Sequence, residues 1–209
     1  MGTTIVTGTL LAACLAITAC NPVKADINIS NYRQILLLPV EVQFRAVRPG
    51  SGNPTFASQD RNFPVSPESQ QRFAETVTTV FREELARSRH FALTNEPGPD
   101  VLRVRISLLD IVSNVPPEGP GRTTTYLDEF GAATLVLELE NAMSGEILAR
   151  TVDRRVAEPL DGIDPLLSRA NPVTAWSAVR RTAQRWAALV TRRIDQWYDQ
   201  GRIRAESGP

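Results

Sequence analysis

Apolar residues recur along this chain with two different periods. Leu36, Leu38, Val40, Val42 and Phe44 alternate with Pro39, Glu41 and Gln43, the spacing of a strand with one buried face. Pro39 has no N–H to give a neighbouring strand, so this strand is expected at an edge or interrupted by a bulge. From Ser66-Pro67-Glu68 the period lengthens: Phe73, Val77, Val80, Phe81 and Leu85 fall on one helical stripe, with Arg72, Glu75, Arg82 and Glu83 opposite. Ser66 can cap this helix, Pro67 suits its first turn and Glu68 the positive end of its dipole. The helix is expected to end near Arg89, before the break at Asn95–Asp100.

The period of two then returns. Leu102, Val104, Ile106 and Leu108 oppose Arg103 and Arg105, after which the apolar phase passes to Leu109 and Ile111 and leaves Asp110 on the formerly apolar side. One extra residue near 108–109, a β-bulge, accounts for such a slip. Ala133, Leu135, Leu137 and Leu139 alternate with Thr134, Val136, Glu138 and Glu140, and Asn141–Gly145 turns the chain into a partner strand from Glu146 to Val156. Arg150 and Arg154 are expected to face solvent beside Glu138 and Glu140 as cross-strand charge pairs. Asn171-Pro172 opens a last helix whose stripe holds Trp176, Val179, Ala183, Trp186, Val190, Ile194 and Trp197, with Arg180, Arg181, Arg185, Arg192 and Arg193 on its other side. The succession predicts an α+β two-layer sandwich: a mostly antiparallel sheet of about four strands carrying two amphipathic helices on one face. Three stretches, 45–65, 115–131 and 157–172, read as long loops, which in compact domains serve binding or move.

The first 23 residues differ in kind. No Lys, Arg, Asp or Glu precedes Lys24, and the apolar run from Leu10 to Ala19 ends at Cys20. Ile17-Thr18-Ala19-Cys20 resembles the bacterial lipobox, in which an aliphatic residue and two small ones precede the cysteine that is acylated. The resemblance implies a signal peptide over 1–19, diacylglycerol (and commonly palmitate on the new amine) at Cys20, and a polar tether over 20–33. Several acyl chains on one residue hold a protein where one chain binds only marginally. Leu11-Ala12-Ala13-Cys14 also fits the motif but leaves a short apolar run. Plain secretion and an uncleaved membrane helix over 2–23 stay open as alternatives, and the usual positive leader is missing. Asn21 after the cysteine favours an outer membrane, facing the periplasm, in a cell with two membranes. The folded part is expected to be a single domain over 34–200, followed by a flexible tail at 201–209.

Composition narrows the chemistry. Lys plus Arg and Asp plus Glu each number 23, so no net charge draws the chain to nucleic acid. Both cysteines, Cys14 and Cys20, precede the folded part, which therefore holds no disulfide or thiolate metal site. His90 is the one histidine and sits at a helix end beside Phe91, as a cap or a partly exposed side chain. No serine lies in a Gly-x-Ser-x-Gly turn and no phosphate-binding loop is present. Asp128-Glu129 and Asp161/Asp164 are loop acid pairs that could hold calcium or work as general acid and base, although solvated carboxylates are the commoner case. The three tryptophans fit a sugar platform less well than a core stripe, and the arginine face of the last helix could meet anionic lipid. No catalytic residue, cofactor or metal is expected; Cys20 is the assigned site, a membrane and an envelope protein the expected partners.

Several of these landmarks together resemble a family of bacterial lipoproteins known as domain of unknown function 3313. They are the lipobox, Leu37-Leu38-Pro39-Val40-Glu41-Val42, Glu96-Pro97-Gly98-Pro99 leading into Leu102-Arg103-Val104-Arg105-Ile106, the hairpin from Leu137 to Ala149, and the helix containing Trp186. The resemblance covers most of the chain and implies no activity and no catalytic residues. The function expected is thus a non-enzymatic accessory or structural domain on a membrane anchor. The alternatives are a periplasmic glycan- or peptidoglycan-binding module using the loops, or a hydrolase using loop carboxylates.

Overall fold

The computed structural model describes residues 27–47, 62–115, 129–157, 172–201 and 203. Its elements run β1 (Gln34–Leu37), β2 (Glu41–Phe44), α1 (Pro67–Leu85), β3 (Ala92–Thr94), β4 (Val101–Ser113), β5 (Gly131–Asn141), β6 (Ile147–Ala157) and α2 (Pro172–Asp199). The strands form one six-stranded mixed sheet in the order β3-β1-β4-β5-β6, with β2 also paired to β4. The α+β class and the two helices agree with the sequence; the expected four antiparallel strands do not. β4, β5 and β6 are antiparallel, whereas β1 lies parallel to both β3 and β4 and β2 parallel to β4. The parallel half arises because α1 carries the chain back across the sheet before β3 and β4 begin, as parallel neighbours require.

The strand expected over 35–44 is two strands. At Leu38 the N–H still reaches Val104 O at 3.0 Å, but Pro39 offers none and Val40 N–H turns to Thr78 Oγ1 of α1 at 3.1 Å. Leu37 is level with Val104 and Glu41 with Ser107, so four residues on this side match three on β4. That extra residue reverses the alternation. Ile35 and Leu37, not Leu36 and Leu38, are buried before Pro39, while Val40 is buried after it and Val42 and Phe44 pack on the core.

β4 slips in the same manner. Leu109 pairs with Thr134 and Val112 with Ala132, and on the other side Val42 pairs with Leu108 and Phe44 with Ile111. The extra residue is Asp110, with φ 53°, a little beyond the expected position near 108–109. A second bulge lies in β6 between the partners of Leu139 and Glu140, and it buries Leu148 and Ala149 in succession.

Both helices lie on the face that carries Leu102, Val104, Ile106 and Leu108. Val77, Val80, Phe81 and Leu85 of α1 and Ala183, Trp186, Ala187, Val190 and Ile194 of α2 share one core cluster with those strand residues. Ser66 caps α1 as expected, accepting from Ser69 N–H at 3.3 Å. Folded structure extends past the 34–200 span on both sides: Ile29 and Ile203 are buried in the same core, and Ile27 pairs with Ile203 through an antiparallel bridge. Tyr32 adds its ring to the core and takes a 2.9 Å hydrogen bond from Asn141 Nδ2 at its hydroxyl. The stretch expected as tether is therefore ordered from Ile27 onward.

Candidate functional site

The core closes fully at one end of the sheet and leaves space at the other. At the end where β4 begins, Ile29, Leu85, Leu102, Val104 and Ile194 are almost completely excluded from solvent. Asp195 of α2, only 6% exposed, ties the helices together there. It accepts from Ser88 Oγ at 2.5 Å and from Arg89 N–H at 3.2 Å, while Ser88 Oγ in turn accepts from Phe91 N–H at 3.2 Å. A buried carboxylate is tolerated because each oxygen meets a donor.

At the other end, where β4 ends and β5 begins, α1, α2 and the sheet surround a cavity of about 360 Å³. Phe44, Phe73, Phe130, Trp176, Val179 and Trp186 form much of its wall. Phe44 and Phe73 meet edge to face at 5.6 Å between centroids, and Arg72 lies over the Trp176 ring at 5.1 Å. The local sequence explains the space. Ala132, Ala133, Ala157, Ala175 and Ala183 all border it with small side chains, and Gly131 has none. A Cβ on Gly131 would lie 2.2 Å from Val112 O, so β5 approaches the bulged strand more closely than any other residue allows.

Among the described residues few polar side chains reach this cavity: Ser66, Ser69, Ser113, Thr182 and Arg155. Arg155 Nε donates to Asp153 Oδ2 at 2.8 Å, and Trp186 Nε1 donates to the same oxygen at 2.9 Å. Asp153 lies level with Leu135 on β5, so one carboxylate links the edge strand, the cavity's arginine and the helix above. A concave apolar wall with a few convergent polar groups is the form of a small-molecule site.

The opposite face of the sheet carries charge. Arg103 and Arg105 both bind Glu140, through Nε at 2.6 Å and 3.0 Å, and Glu140 is only 4% exposed beneath them. Glu140 holds the Arg105 guanidinium more firmly protonated than usual, by hydrogen bond first and by charge second. Arg150 meets Glu138 across the strands at 3.5 Å as expected, but Arg154 turns to Asp110 at 2.9 Å and Thr134 Oγ1 at 3.0 Å. Asp110 also receives Arg45 Nε at 2.6 Å, and these bonds, Arg45's foremost, hold its carboxyl below the usual aspartate range.

The residues singled out from sequence are scattered. Cys20, Asp128, Asp161 and Asp164 lie outside the described residues, as do 48–61, 116–128 and 158–171 of the three long loops. Glu129 is described, and its backbone oxygen accepts from Asn114 Nδ2 at 3.2 Å. His90 stacks on Tyr198 at 4.2 Å between centroids, and its Nε2 lies 2.8 Å from Asp199 Oδ1. That contact is off the line of the ring N–H, so it is not an aligned hydrogen bond. His90 is thus a half-buried residue just beyond α1. Trp186 is buried in the core where it borders the cavity, and Trp176 borders the same cavity with Arg72 on its ring, which leaves no flat row of indoles. On α2, Arg180 approaches Glu83 of α1 at 3.8 Å and Arg181 meets Ser177 Oγ at 3.2 Å. Among the described residues no cluster of three metal-ligating side chains occurs, and no helix is long and apolar enough to cross a membrane. The cavity itself was not foreseen.

The fold and its one-sided helical layer define an α+β domain with an apolar cavity between sheet and helices. The chain belongs to the family described as Protein of unknown function (DUF3313), whose model matches residues 23–190. No curated protein matches it. Among solved structures it is similar to a Helicobacter pylori protein described as a candidate neuraminyllactose-binding hemagglutinin homologue (12% identity, TM-score 0.44, 86% of this chain and 95% of that one). A candidate lipoprotein from Caulobacter crescentus CB15 is similar at 12% identity and TM-score 0.38, over 82% of this chain and 93% of that one. Protein XCC0632 from Xanthomonas campestris is similar at 11% identity and TM-score 0.40, over 87% and 93%.

Proposed function

We propose that this protein is a cell-envelope lipoprotein, anchored through lipid on Cys20, whose folded domain is a non-enzymatic accessory unit. The observation that carries this reading is the placement of the described residues nearest Cys20. Ile27 and Ile203 meet beside the closed end of the core, and the wall of the cavity on α2 begins 13 residues before Asp199 and reaches back to Ala175. At about 1.5 Å per residue, the cavity lies roughly 20 to 35 Å along α2 from that end. Ile27 stands seven positions after Cys20, a reach of at most about 25 Å. A lipid on Cys20 would thus hold the closed end near a membrane and turn the cavity and the neighbouring loop ends away from it. Asn21 favours the outer membrane's periplasmic face as the location, with an envelope protein as partner.

Two measurements test this. Cys20→Ala moves the protein from the membrane fraction to the soluble one; unchanged membrane association would point instead to an uncleaved helix. A photo-crosslinker at Gln71, near the start of α1, captures a discrete envelope protein in intact cells, while one at Arg87, past its end, does not. Equal capture at both positions, or none, would overturn the outward orientation.

A further inference from the structure

We propose that the cavity is a binding site for a single-chain amphiphile, a hydrocarbon chain with an anionic head received by Arg155. Its volume of about 360 Å³ sits at the small end of the roughly 300–1,000 Å³ found for ligand sites. That accommodates one chain. Apolar cavities of about 150 Å³ already stay dry and take up apolar molecules, because a water needs two to four polar partners to settle. Phe73, Phe130 and Val179 offer it none.

The head is assigned by Arg155, the cation at the wall among the described residues. Arg155 engages Asp153 through Nε, and among the described residues its Nη groups hold no further bond, so a fork of N–H donors remains for a carboxylate. Asp153 does not repel such a head as a bare charge, since Trp186 Nε1 and Arg155 both bind it. Ser69, whose Oγ accepts from the Ser66 hydroxyl at 3.2 Å, keeps its own hydroxyl proton as a donor at the α1 side. None of this depends on where the protein is anchored.

The test uses the full chain carrying Cys20→Ser, which bears no lipid of its own, titrated with dodecanoate below its micelle concentration and separately with dodecan-1-ol. Trp176 and Trp186 border the cavity, so their fluorescence reports occupancy. Saturable binding of one dodecanoate per chain is expected. Ala175→Phe, which fills the cavity, weakens both ligands at least tenfold while the thermal midpoint is kept or raised. Should that variant fail to fold, Thr182→Phe approaches the same space from two turns further along α2. Arg155→Gln weakens dodecanoate about tenfold or more, as loss of a charged hydrogen bond implies, and leaves dodecanol within about twofold. No saturable response, or equal affinity in the filled variant, overturns the site. Equal weakening of both ligands by Arg155→Gln overturns the anionic head.

Discussion

In its first half β4 lies between β1 and β5 with Leu102, Val104 and Ile106 wholly buried under both helices; in its second half the same strand bulges at Asp110 and borders a cavity. Apolar residues recur through both halves, with one slip of phase at the bulge. What differs is the size of the facing residues. Leu85, Ile194, Ile29 and Ile203 fill the closed end, whereas Ala175, Ala183, Ala132 and Ala133 face the open one. An apolar pattern therefore settles which side of a strand is covered, and side-chain volume settles whether the cover is complete.

The largest expected effect breaks the closed end. Leu102→Ala or Ile106→Ala should lower unfolding free energy by about 2–5 kcal/mol, since the space left cannot collapse. Val179→Ala, on a wall that already borders space, should cost about 1 kcal/mol or less. Urea midpoints at unchanged slope measure both. Equal losses at the two ends would show that the cavity is as tightly occupied as the core.

The glycines sharpen the contrast at the next level. Gly131→Ala at the cavity end forces a Cβ against Val112 O and should cost about 1–3 kcal/mol through displaced backbone. Gly145→Ala, in the turn at the closed end with φ 71°, should cost only about 1 kcal/mol for its left-handed conformation. Thermal unfolding of the two variants would reverse in order if β5 could move away from the bulge without loss.

Most elements were legible because they are long. α1, α2 and the β5–β6 hairpin each repeat their period several times, and the slip that exposes Asp110 was visible as a change of phase. β3 was not, because Ala92–Thr94 is too short to show an alternation. Parallel pairing of β1 with β4 was hidden as well, since an edge-like strand with Pro39 says nothing of its partner's direction. Ile29 and Ile203 looked like isolated apolar residues in polar segments, and only tertiary contact gives them a role. The cavity was least legible: Phe73, Trp176 and Trp186 obey the same helical spacing as core residues, and a missing volume leaves no mark on a stripe. Of the assigned site, Cys20 rests on its motif alone, and nothing in the sequence marks Arg155 out among the chain's arginines.

The smallest expected effect concerns the bulge that separates the two halves. Asp110 is held in the left-handed region at φ 53° and binds Arg45, just past β2, and Arg154 of β6. Asparagine adopts that backbone readily, so Asp110→Asn removes the charge and keeps the bulge. The groups are exposed enough for solvent to screen them, and the loss should be a few tenths to about 1 kcal/mol at neutral pH. Its pH dependence identifies the cause. The carboxyl lies below the usual aspartate value when folded, so its contribution is complete above about pH 4 and disappears as pH falls through the folded value. The stability difference between the parent protein and Asp110→Asn should therefore vanish toward pH 2, and shrink in 1 M salt at pH 7. A difference that persists at low pH would mean that Asp110 matters for its backbone shape rather than its charge, and Asp110→Gly would then stabilise the protein where Asp110→Asn does not.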